Sequence, residues 1–173
     1  PSRVHKLPKA QMWPKPPETW FARFDYPTQL NYNPDMPGRD ELLNEQLAYY
    51  RARAQEYDES VQQQGRFEGP SLPEADREWH HIAATLQSLP QVSTVLELAC
   101  GTGLWTKTLV TIGKSVLALD GANEMLDVNR AKVRNDRVTY QQADLFNWRP
   151  THAYELVFFA FWISHVPDDL VVE

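Results

Sequence analysis

The sequence predicts an α/β fold: an open, parallel sheet with helices on both faces, preceded by two helices and an extended N-terminal arm. Three observations predict it. From residue 91 onward, short apolar runs alternate with segments of helical periodicity, a pattern that implies parallel strands joined by right-handed crossovers. Two glycines, Gly101 and Gly103, stand where the first run gives way to the first helical segment. An apolar content of 42% and a charged content of 23% are those of a globular domain.

Residues 1–39 differ from the rest. Eight of the 13 prolines lie there, interleaved with Trp13, Trp20, Phe21, Phe24, Tyr26 and Tyr32. Proline disfavours regular elements, yet a disordered tail has fewer aromatics. The expectation is an arm that packs on its own domain, a second copy or a partner, or else a loosely attached leader.

Residues 40–90 read as two helices. Leu43, Leu47, Tyr50, Ala54, Tyr57 and Val61 form one apolar stripe, with Asp40 as expected N-cap and Gly65 as stop. A second helix opens at "SLPE", where Ser71 and Glu74 have capping-box spacing. Its stripe is Ala75, Trp79, Ile82, Ala83, Leu86 and Leu89, and Pro90 ends it.

Residues 91–173 carry the alternation. "TVLEL" (94–98) is the first strand, and Trp105, Thr108, Leu109 and Ile112 share the face of a helix that Gly113 stops. "SVLALD" (115–120) is the second strand; Ala122, Met125, Leu126 and Val133 mark the next helix. "RVTYQQAD" (137–144) is the third strand. "YELVFFAFWI" (154–163) is a continuous apolar run, which predicts a strand buried on both faces.

Bulk properties narrow the function. A net charge of −6 disfavours nucleic acid, whose binding needs basic surface, and anionic membranes. No apolar run reaches the roughly 18 residues of a membrane span, and no signal peptide is recognisable. The lone Cys100 forms no internal disulfide and suits a reducing, cytoplasmic compartment. The five histidines have no metal-ligand spacing, so no metal is expected.

The glycine turn "ACGTG" (99–103) ends a strand of a parallel sheet, where such folds bind ligands. A nucleoside triphosphate needs Gly-Lys-Ser/Thr, but Leu104 and Trp105 follow Gly103. A dinucleotide needs a third glycine, and Thr106 occupies that position. Glu97, inside the strand, repels phosphate and suits a cationic, amine-bearing ligand.

At this point the chain resembles the class I S-adenosylmethionine-dependent methyltransferases, whose fold is Rossmann-like. "VLELACGTG" is similar to their first motif, with Ala99 where a glycine often stands and Cys100 as a small spacer beside Gly101 and Gly103. "LALDGANEML" resembles the second motif. There Asp120, 17 residues after Gly103, is expected to accept the ribose hydroxyls, Gly121 and Ala122 to keep the approach open, and Met125 to pack on adenine or in the core. In "QQADLFNW", Asp144 resembles the acid that accepts the adenine amino group, with the Leu145 amide beside the ring; Asp120 and Asp144 can instead be helix caps after their strands. "FFAFWISHVP" looks like the fourth motif, where Phe159 passes the methyl end and His165 is the candidate base. The resemblance spans roughly residues 92–167.

It also implies that the preceding helix covers S-adenosylmethionine, with Tyr50 or Tyr57 over it and Arg53 pairing with its carboxylate. The implied activity is in-line methyl transfer to a small-molecule acceptor. The chain ends at "DDLVVE", before the later strands of the family's sheet. The second expectation is therefore a truncated, non-catalytic relative that binds cofactor or assembles with a partner, as a homodimer through the arm or the sheet edge. A nicotinamide oxidoreductase is the third.

Overall fold

The computed structural model describes residues 39–62, 73–163 and 166, all within the compact unit Gly38–Glu173. The aromatic arm up to residue 38, the stop at Gly65, Ser71 of the expected capping pair and His165 lie outside the described residues.

Four strands form one parallel sheet in the order β3-β2-β1-β4: β1 Val92–Leu98, β2 Gly113–Asp120, β3 Val138–Gln142 and β4 Leu156–Phe159. In register, Leu98 faces Leu119 on one side and Phe159 on the other, and Asp120 faces Gln142. The four carboxyl ends therefore lie along one rim. The chain runs outward from β1 through β2 to β3, then returns to place β4 on β1's other side. This reversal beside β1 is the topological switch point at which open α/β sheets receive ligands.

Five helices are described: α1 Arg39–Arg53, α2 Tyr57–Val61, α3 Pro73–Gln87, α4 Thr106–Ile112 and α5 Asn123–Val133. The main core gathers Val95, Leu109, Ile112, Val116, Ala118, Leu126 and Val138 from strands and helices, each large side chain contributing about 1.5–3 kcal/mol on burial. Trp79 carries α3 into that core by stacking on Trp105, with ring centroids 4.7 Å apart and an interplanar angle of 8°. Trp105 also meets Phe158 of β4 at 5.7 Å. Ala83 and Leu86 of the predicted α3 stripe face the same way, whereas Ile82 and Leu89, at its margin, stay exposed.

The structure corrects three expectations. Asp40 lies inside α1, which starts at Arg39, so it is not the N-cap. The long stripe from Leu43 to Val61 is not one helix, because hydrogen bonds of i to i+3 spacing, Ala54 N to Arg51 O and Glu56 N to Arg53 O, tighten residues 54–56 into a turn. The periodicity survives because Ala54 and Tyr57 still face the side on which Leu47 and Tyr50 pack. Lastly, β4 is only four residues long and is not buried on both faces: Val157 is 49% and Phe159 43% exposed. Among the described residues β4 lies at the sheet's edge, and its alternating burial is that of a strand covered on one face.

Gly113 does more than end a helix. It is the first residue of β2, with extended backbone at φ −94°, so α4 passes into the strand without a loop. A Cβ there would lie 2.7 Å from Val95 Cγ2 and 3.3 Å from the Leu109 carbonyl oxygen. Val95 is fully buried and has nowhere to retreat. Gly113→Ala is accordingly expected to destabilise the fold by about 1–3 kcal/mol, the usual cost of overpacking, measured as a lower urea midpoint at unchanged m-value.

Candidate functional site

The turn after β1 is built from three left-handed residues: Ala99 at φ 52°, Gly101 at 51° and Gly103 at 83°. Cys100 N donates to Leu119 O at 2.9 Å and Gly103 N to Cys100 O at 3.1 Å, so the turn is pinned to the end of β2. The two glycines serve different purposes. A Cβ on Gly103 would lie 2.3 Å from Asn129 Oδ1, whereas one on Gly101 would meet nothing within 4 Å. Gly103 permits close packing below the turn; Gly101 leaves its backbone open above. Ala99 adopts a conformation that costs an L-residue roughly 1–2 kcal/mol.

Asp120, at the end of β2, ties the neighbouring segments together. Its Oδ2 accepts from Gly101 N and its Oδ1 from Ala122 N, both at 2.9 Å. Burial pushes its carboxyl above the ordinary range, and the amide bonds of Ala122, Gly101 and Gly121 pull the other way. The carboxylate thus spans the first two turns of the rim while keeping acceptor capacity for a further donor.

Below the turn runs a chain of buried polar groups. Tyr140 OH donates to Asn129 Oδ1 at 3.0 Å, and Asn129 Nδ2 donates to Thr106 Oγ1 at 2.9 Å. Thr106 in turn donates to Glu97 Oε2 at 2.7 Å. Asn129 also reaches the Gly101 carbonyl at 3.3 Å. Glu97 is 2% exposed, and burial pushes its carboxyl up to about 8, opposed by the Thr106 hydrogen bond and reinforced by the nearby Asp120 charge. It is buried beneath the turn, bonded to Thr106 at the start of α4.

Above, α1 and α2 roof this rim. Leu47, Tyr50, Ala54 and Tyr57 pack against Ala122, Met125 and Val128 of the β2–α5 junction. Tyr50 and Tyr57 meet edge-to-face at 5.9 Å. Burial raises both phenols, Tyr57 to about 12, and the Asp120 charge adds to each shift. Arg53 donates to Glu56 Oε1 at 3.2 Å and to the Tyr49 hydroxyl, so its guanidinium is engaged within the helical segment. Met125 is buried in the roof contact. A Cβ on Gly121 would sit 3.1 Å from Leu47 Cδ1, so this glycine admits the roof. Asp58 of α2 accepts from Thr102 Oγ1 of the turn and from Lys132 Nζ of α5.

The remaining sequence-derived positions are spread along the rim. Asp144 is exposed and caps its own turn, accepting from Phe146 N at 3.0 Å and Asn147 Nδ2 at 2.6 Å. Leu145 is half-buried beside it. Phe159 ends β4 and meets Trp162 edge-to-face at 6.1 Å. Cys100 is buried, and desolvation raises its thiol well above the ordinary value, which makes it a poor nucleophile. Tyr50, Tyr57, Asp120 and the glycine turn are thus brought together, while Asp144 and Phe159 lie on neighbouring segments.

Asn129, Thr106, Tyr140, Thr102 and Asp58 escaped the sequence reading. One signal was present. Asn129 falls at a core position of the Ala122, Met125, Leu126, Val133 stripe, where a polar residue needs buried partners.

Switch point, positive-φ glycine turn and acid at the end of the second strand together define a class I methyltransferase fold, which the chain shares with S-adenosylmethionine-dependent methyltransferases. The model of a methyltransferase domain matches residues 95–173. Demethylmenaquinone methyltransferase of Bacillus licheniformis is 28% identical over 105 residues, covering 56% of this chain and 44% of the relative. DhpI in its complex with SAH superposes with a TM-score of 0.65 at 38% identity, covering 78% of this chain and 60% of DhpI. The DhpI–SAM–HEP complex matches at 0.64 and 38%, covering 78% of this chain and 57% of that one. At 17% identity and a TM-score of 0.63, phosphoethanolamine N-methyltransferase 1 of Haemonchus contortus shares the fold, covering 81% of this chain and 30% of its own. The chain therefore spans less than two thirds of the length of these relatives.

Two outcomes test the turn. Ala99→Gly removes the left-handed strain but enlarges the unfolded ensemble; a net gain of about 0.5 kcal/mol is expected, seen as a higher urea midpoint. Glu97 titrates near 4.5 when unfolded and near 8 when folded. The folded chain therefore holds a proton that the unfolded chain releases across that window, and stability falls as pH rises from 4.5 to 8. Glu97→Gln keeps an acceptor for Thr106 and should flatten this slope, read from thermal midpoints between pH 5 and 8.

Proposed function

We propose that this chain is the cofactor-binding portion of an S-adenosylmethionine-dependent methyltransferase acting on a small-molecule acceptor. The observation that carries the reading is Asp120, held by the Gly101 and Ala122 amides beneath Tyr50 and Tyr57 at the rim of the sheet. An acid in that position repels a phosphate and welcomes hydroxyl or amine donors. The open space over Gly101 lets a ligand approach the backbone. These features fit a phosphate-free, cationic nucleoside. The complexes of DhpI with SAH and SAM support the same ligand, since this chain is 38% identical to that protein.

When bound, S-adenosylmethionine supplies an activated methyl group on a sulfonium. The chain's residues supply the setting. Asp120 has acceptor capacity for the ribose hydroxyls, and the two tyrosines exclude water from above. Asp144, through whichever acceptor capacity its own turn leaves, and the Leu145 amide serve the adenine; Phe159 lines the acceptor end. His165, in the same segment, is the residue we assign to proton removal from the acceptor. No helix among the described residues is long and apolar enough to cross a membrane, and the single cysteine suits a reducing cytoplasm.

Titration calorimetry with S-adenosylmethionine, S-adenosylhomocysteine and NADH tests the ligand: heat with the first two and none with NADH is expected, and the reverse sinks the reading. Asp120→Ala should weaken S-adenosylhomocysteine binding by roughly 1–3 kcal/mol, the scale of a hydrogen bond to a charged group. A labelled-methyl screen of small acceptors tests transfer; cofactor binding with no transfer to any acceptor favours the non-catalytic relative.

A further inference from the structure

The roof is held to the sheet by unequal attachments. Most of α1 rests on apolar packing with the β2–α5 junction. The α2 segment has only five residues, too few to be helical alone, and it follows the tightened turn at 54–56. Its tertiary partners must hold it. Tyr57 provides one apolar contact, and the Ser60 hydroxyl is buried with no hydrogen-bond partner among the described residues.

Asp58 provides the polar attachment. Its Oδ1 accepts from Thr102 Oγ1, and its Oδ2 accepts from Lys132 Nζ. Thr102 is 1% exposed and stands between Gly101, whose amide holds Asp120, and Gly103, which packs on Asn129. One carboxylate therefore joins roof, turn and α5. Thr102 buries its hydroxyl against Asp58; lifting α2 returns both groups and the Lys132 ammonium to water.

We propose that Asp58 is a latch, a positioning residue whose bridge to Thr102 and Lys132 holds α2 closed over the ligand turn and sets the rate at which the cofactor leaves. The proposal rests on the cofactor reading given above. Closure traps the ligand beneath Tyr50 and Tyr57, and release requires the Asp58–Thr102 bond to break first. The two ends of the bridge differ in kind: the Thr102 bond reports on the turn directly, whereas the Lys132 bond anchors the carboxylate by charge.

The test compares wild type with T102V, D58N and K132M, using S-adenosylhomocysteine as probe in a chase experiment. T102V is nearly isosteric and removes only the hydroxyl. Release from T102V and D58N should be faster by about tenfold, the scale of one charge-assisted hydrogen bond, with association changed by less than about twofold. The T102V/D58N double variant should release no faster than T102V, because loss of the Thr102 hydroxyl already breaks the bridge that D58N weakens by removing the charge. Hydrogen exchange of residues 54–61 should accelerate in each variant while strands β1 and β2 stay protected, which separates a latch from general destabilisation. Wild-type release rates in both T102V and D58N overturn the proposal. Should wild type bind no S-adenosylhomocysteine, the cofactor reading fails, and unchanged exchange of residues 54–61 in T102V then independently overturns the latch.

Discussion

The close approach of Asn129 to the glycine turn is the contact on which the rest of the site depends. The amide sits where a side chain on Gly103 would have to be, donates to Thr106 and the Gly101 carbonyl, and accepts from Tyr140. Through Thr106 it reaches the buried Glu97. These groups satisfy one another away from water, where a missing partner costs about 1–3 kcal/mol. The turn therefore has one low-energy shape, and that shape presents the Gly101 amide to Asp120.

Asp120 passes this order on to the next layer. Because its carboxylate spans Gly101 and Ala122, the start of α5 is aligned with the end of β1. Leu47, Tyr50, Ala54 and Tyr57 then find a matching apolar surface on Ala122 and Met125. The small residues matter as much as the large ones here, since Gly121 makes room for Leu47. The result is a rim with the Asp120 carboxylate and backbone amides in its floor and the Tyr50 and Tyr57 rings in its roof.

Much of this was legible from residue order. The strands could be read from their apolar runs, and the turn from Gly101 and Gly103, because each signal is local and strong. The acid at the end of the second strand was found through the resemblance of "LALDGANEML" to the family's second motif. Asp58, Thr102 and Lys132 were not found, because their meeting joins residues 44 and 74 positions apart and no local pattern marks such a pair. Glu97 was recognised, but its surroundings were not: a strand acid looks the same in sequence whether it faces a cleft or, as here, is buried beneath a turn.

The sequence by itself determined the alternation of strands and helices, the place of the glycine turn, and its departure from phosphate-binding motifs. Backbone periodicity and the conformational freedom of glycine are properties of single residues and their near neighbours, so they can be read along the chain. Only the tertiary structure decided that β4 has one covered face, that Asn129 shapes the turn from below, and that Asp58 ties the roof to it. Those outcomes rest on burial and on pairs of polar groups brought together by folding, and neither is encoded by any short stretch of the chain.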